Sequence, residues 1–107
     1  MNFLHELGHH VHLAHAGDNN VRDAVERRVN EGWRELQYAF SGDEARDEVL
    51  RGDKDTPTVS RYATSSREEY FAECFATYIG RGPSLLKAKD AEGYQMVKDV
   101  LKIRGIE

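Results

Sequence analysis

Residues 65–79 read Ser65-Ser66-Arg67-Glu68-Glu69-Tyr70-Phe71-Ala72-Glu73-Cys74-Phe75-Ala76-Thr77-Tyr78-Ile79. The two serines offer an N-cap, with Glu68 and Glu69 three residues beyond each, a capping-box arrangement that opens a helix. The spacing predicts a helix over 67–79, closed by Gly80 and Gly82, with Pro83 starting the next segment. Glu69 and Glu73 stand four apart and share one face, while Phe71 and Phe75 share another. Two carboxylates flanked by large apolar residues fit a half-buried acidic edge, and equally an exposed stripe of an amphipathic helix.

Helical periodicity continues on both sides. Residues 2–14 read as a helix, with Phe3, Leu7 and Val11 at helical spacing, ended by Gly17 and Asp18. From Asn20 the steps Val21, Val25, Val29, Trp33, Leu36 and Phe40 draw an apolar stripe, expected to pack on the first helix. Gly32 within it is a mild liability. Ser41 and Gly42 form a stop before a short helical piece over 43–50. Residues 51–60 lack periodicity and carry Gly and Pro, the marks of a surface loop. The Arg-Gly-Asp tripeptide there has nothing beside it to mark an integrin ligand. Residues 83–103 give one or two further helices with Leu85, Leu86, Tyr94, Val97, Val100 and Leu101 inward. The expected class is mainly α, a small single domain over residues 1–107 with little or no sheet.

Composition narrows the function. A chain of 107 residues buries somewhat over about 60% of its unfolded surface, enough for a small core. The 39% hydrophobic and 32% charged content is that of a well-solvated globular protein. The net charge of -4, with basic residues scattered among acids, gives no nucleic-acid footprint. No apolar run approaches the roughly 20 residues that span a bilayer. The single cysteine, Cys74, excludes an internal disulfide and is expected as a small buried apolar residue. Met1 to Leu4 carry no basic leader. As written the chain is expected in the cytoplasm, or secreted if it is part of a longer precursor.

Near the N-terminus stands His5-Glu6-Leu7-Gly8-His9, an H-E-x-x-H signature. On a helix His5 and His9 lie on one face and can offer imidazole nitrogens to one metal ion, with neutral imidazole suiting zinc. Glu6 then sits beside the ion as a base for metal-assisted hydrolysis. Two ligands need a third.

Tyr62 stands seven residues before Glu69, which stands four before Glu73 within Glu-Tyr-Phe-Ala-Glu-Cys-Phe. Together with His5 to His9, this resembles the anthrax lethal-factor-type peptidase domain, a gluzincin family that includes the Pro-Pro endopeptidases. Its pattern is H-E-x-G-H, a downstream tyrosine, then Glu-aromatic-aromatic-Ala-Glu-x-Phe; all of these motif positions match, and the resemblance spans His5 to about Tyr78. The resemblance implies that His5, His9 and Glu69 bind Zn2+ and that Glu6 is the general base. It also implies that Tyr62 stabilises the oxyanion and that Glu73 supports a ligand from behind. The implied activity is a zinc-dependent endopeptidase acting on a peptide or protein, built on a helical zincin-like core of an active-site helix and a glutamate-bearing helix. In that family a small sheet precedes the active-site helix, whereas four residues precede His5 here. The expectation is therefore either a minimal all-helical version or the C-terminal part of a longer domain.

Three other readings stand beside it. A zinc-stabilised, catalytically weak binding module would keep the ligands without turnover. A purely structural helical domain would show neither metal nor turnover. A metzincin-type site would use His15 as third ligand, but His12 stands where that pattern has its turning glycine. His10, His12 and His15 are then expected as surface histidines.

Overall fold

Helix boundaries follow from caps. In the computed structural model, which describes residues 3–14, 19–40 and 42–106, the Ser66 side chain accepts from the Glu69 N–H at 3.2 Å and starts a helix. Asp90 does the same for the Gly93 N–H at 2.8 Å. Gly52, at φ 88°, ends another in the left-handed conformation that glycine adopts without penalty. The elements are α1 (Phe3–Leu13), α2 (Asn19–Gln37), α3 (Asp43–Arg51), a 3-10 turn (Tyr62–Thr64), α4 (Arg67–Gly80), α5 (Pro83–Lys89) and α6 (Ala91–Ile103). The protein is mainly α, with no strand among the described residues. None of the described helices is long and apolar enough to cross a membrane.

The central element is α4, which touches α1, α2, α5 and α6. Tyr70, Phe71, Cys74 and Phe75 on it are buried together with Val25, Val29, Leu86, Met96, Val97 and Val100. Burying one such large side chain stabilises the fold by about 1.5–3 kcal/mol. Cys74 is buried as expected, and burial pushes its thiol well above the usual range, so it stays protonated and inert.

α1 and α4 approach each other backbone to backbone. A Cβ on Gly8 would lie 2.9 Å from the Ala72 Cα and 3.1 Å from its carbonyl oxygen. Glycine facing alanine lets the two backbones meet, and that contact carries His5 and His9 onto the α4 face bearing Glu69 and Glu73.

Three expectations are corrected. The α2 stripe packs chiefly on α6 and only slightly on α1. Gly32 makes the notch: a Cβ there would meet the Met96 sulfur at 2.6 Å. Arg28 then clamps α2 to α6, donating from Nε to Asp99 at 2.8 Å and from an Nη to Glu92 at 2.7 Å. His12 is buried at 2% exposure rather than at the surface. It lies in the last turns of α1, its ring 5.4 Å from that of Phe71 and its Nε2 2.7 Å from Glu26 Oε1. A neutral imidazole is apolar enough to fill a core position when a carboxylate meets its polar edge. In α5 it is Leu86 that is fully buried, while Leu85 is only partly covered.

The loop over 52–61 is held from below by Asp90. Its Oδ2 accepts from the Thr58 hydroxyl at 2.7 Å and from the Tyr70 hydroxyl at 2.8 Å. One carboxylate thus joins the loop, the core helix α4 and the start of α6.

Candidate metal centre

His5 and His9 share one face of α1, and their rings meet edge to face with an interplanar angle of 82°. Their Nε2 atoms are 3.0 Å apart. Across the helix contact stands Glu69, with Oε2 2.8 Å from His5 Nε2 and Oε1 2.9 Å from His9 Nε2. Local chemistry explains why this carboxylate is available. In a full capping box Glu69 would bend back to the Ser66 N–H. Here Ser66 still caps the Glu69 N–H, but both Glu69 oxygens face the imidazoles. Glu68, one residue earlier, turns to Arg67, with Oε1 3.3 Å from its Nε. Burial opposes charge on Glu68, but a first-turn backbone N–H and Arg67 outweigh it and lower its pKa.

Behind the pair, His5 Nδ1 lies 2.8 Å from Glu73 Oε2. An imidazole that donates from Nδ1 to a carboxylate is left with a bare lone pair on Nε2. Nε2 of the same ring lies 2.8 Å from Glu69 Oε2, so His5 bridges the two carboxylates. Such a nitrogen–oxygen contact is held by positive charge, supplied by a proton on the ring or by a shared metal ion. The group fits a metal: two imidazole nitrogens and a carboxylate are the donor set of hydrolytic zinc sites, with the fourth position open. The separations of 2.8–3.0 Å are a few tenths short of the ~3.3 Å between ligands on a tetrahedral zinc with arms of about 2.0–2.1 Å. Small side-chain shifts close that difference.

The remaining sequence candidates lie around this centre. Glu6 is exposed on the adjoining position of α1, its side chain in no ion pair or hydrogen bond among the described residues. Tyr62 is 57% exposed on the 3-10 turn, its ring 6.0 Å from that of His5. The Glu69 charge, with some desolvation and a hydrogen bond to the same carboxylate, raises its pKa, so the phenol keeps its proton. His10 is exposed, and His15 lies outside the described residues. The place of the metzincin glycine is taken by helical, buried His12.

Sequence reasoning missed Ser60. Its hydroxyl donates to Glu73 Oε1 at 2.9 Å and accepts from the Ala63 N–H at 3.1 Å. The only available signal was a serine beside an otherwise structureless loop, which is uninformative. Asp90 was also missed, although an Asp before Ala91, Glu92 and Gly93 is a recognisable N-cap.

Comparisons with protein-family models, curated proteins and solved structures give no match for this chain.

Proposed function

We propose that this chain carries a zinc-dependent endopeptidase centre of the lethal-factor type, with His5, His9 and Glu69 as ligands. The observation that supports it most is the convergence of His5 Nε2, His9 Nε2 and the Glu69 carboxylate at 2.8–3.0 Å from one another, a grouping of donor atoms that one metal ion could share. Zinc bound there would supply a Lewis acid and an acidified water. Glu6 takes one proton from the attacking water as its oxygen bonds to the peptide carbonyl carbon. It then returns that proton to the nitrogen as the carbon–nitrogen bond breaks. Tyr62 keeps its proton and donates a hydrogen bond to the oxyanion that develops on the former carbonyl oxygen. Glu73, 2.8 Å from His5 Nδ1, holds the His5 ring and would leave Nε2 to serve as the ligand atom. The substrate is a peptide or protein.

One observation favours a second reading, a zinc-stabilised module with little turnover. No strand among the described residues offers an edge for an extended substrate. Metal analysis of the purified protein, followed by cleavage of a peptide library with and without chelator, tests both. Bound zinc with chelator-sensitive cleavage supports the peptidase, and bound zinc without cleavage supports the module. A protein that neither binds zinc nor cleaves overturns both.

A further inference from the structure

Donor and acceptor arithmetic along one chain of contacts gives Ser60 a role. The Ala63 N–H can only donate, so at that contact the Ser60 oxygen must accept. A hydroxyl has a single proton, and the Ser60 proton therefore goes to Glu73 Oε1, 2.9 Å away. Glu73 thus receives Ser60 on one oxygen and His5 Nδ1 on the other. Both Glu73 oxygens are engaged, one by the serine and one by the His5 ring, which fixes the plane of the carboxylate. The serine is itself fixed: its carbonyl accepts from the Thr56 hydroxyl at 3.2 Å. Its side chain also caps the turn that carries Tyr62, since Ala63 lies within that turn.

We propose that Ser60 is a positioning residue of the metal centre: its hydroxyl proton orients Glu73, Glu73 orients His5, and the same oxygen holds the turn bearing Tyr62. The proposal rests on the His5, His9 and Glu69 centre described above. It assigns the loop over 52–61 a part in metal affinity, although the loop contributes no ligand. Without the hydroxyl, Glu73 Oε1 loses the Ser60 donor, and the carboxylate is free to rotate away from His5. Outer hydrogen-bond partners of metal ligands are typically worth about 10–100-fold in affinity, and a group one step further out should be worth about three- to tenfold.

The test uses a matched pair of the same shape, Ser60→Thr and Ser60→Val, which differ in the hydroxyl alone. Zinc affinity is measured by competition with a chromophoric chelator at neutral pH, beside the melting temperature of the metal-free proteins. The expected result is that Ser60→Thr binds zinc within about twofold of the parent, while Ser60→Val binds about three- to tenfold more weakly. A merely structural role would shift the melting temperature of Ser60→Val without separating the two variants in zinc affinity. Equal affinities for Thr and Val, with zinc still bound by the parent, overturn the role of Ser60 and leave the metal centre standing. Failure of the parent to bind zinc overturns the centre, and this proposal with it.

Discussion

Gly8 rests directly on Ala72, close enough that the first carbon of any side chain at position 8 would fall 2.9 Å from the Ala72 Cα. Backbone atoms cannot swing aside as a flexible side chain end can. Gly8→Ala gains up to about 1 kcal/mol of helix propensity, but overpacking a fitted contact costs about 1–3 kcal/mol. The expected outcome is net destabilisation in chemical denaturation together with weaker zinc binding, as α1 is pushed off α4. A more stable Gly8→Ala protein would show that the helices do not meet this closely.

Neighbouring glutamates on α4 should behave differently. Both Glu69 oxygens face imidazole nitrogens, whereas Glu68 pairs with Arg67. Glu69→Ala is expected to reduce zinc affinity by more than the ~10–100-fold typical of losing an outer hydrogen-bond partner. Glu68→Ala should stay near the parent value. The reverse order in a chelator competition would place the wrong face of α4 at the centre.

Glu6 has no structural partner to lose among the described residues. Glu6→Gln should therefore keep zinc stoichiometry and thermal stability while removing hydrolysis, since a general base contributes about 10²–10⁴-fold. Cleavage retained at the parent rate would remove Glu6 from the mechanism.

Acid should weaken the fold through His12. Desolvation lowers its pKa below the ordinary 6.5, and the nearby Glu26 only partly offsets this. The unfolded chain then takes up a proton at about pH 6.5 that the folded chain refuses, so stability falls as pH drops through that value and levels off below the folded pKa. In metal-free protein His5 and His9 are common to parent and variant, so His12→Gln isolates the effect. Its stability should depend less on pH than the parent's below about 6.5. Parallel stability curves would mean that His12 titrates normally.

Asp90 accepts from Thr58, Tyr70 and the Gly93 N–H. Asp90→Ala strands a buried tyrosine hydroxyl and removes a helix cap, at a cost of about 3 kcal/mol read in urea denaturation. A loss under about 1 kcal/mol would indicate that water replaces the carboxylate.

Much of this was legible because helix signals are local. Ser66 announced the start of α4, and the 3.6-residue period announced the face of α2. The partner of α2 was not legible, because an apolar stripe shows which side is buried and not what buries it. Gly32 looked like a defect along the chain but is a notch for Met96. His12 misled because it stands between other histidines, His10 and His15, while the groups that enclose it, Glu26 and Phe71, are distant in the chain. Glu69 was singled out by motif, yet its two oxygens meeting two imidazoles depends on the Gly8–Ala72 contact, a tertiary fact. Ser60 carried no signal because its value lies in one proton whose destination only the fold defines.

The Asp90 tie also sets an order of assembly. His5 and His9 are translated well before Glu69 and Glu73, and Thr58 and Tyr70 precede the Asp90 carboxylate that accepts from both. A centre whose parts are so far apart along the chain closes late in folding, after the long-range contacts have formed. On the proposed zinc reading, the two histidines alone would offer the nascent chain a two-ligand site until Glu69 has been made.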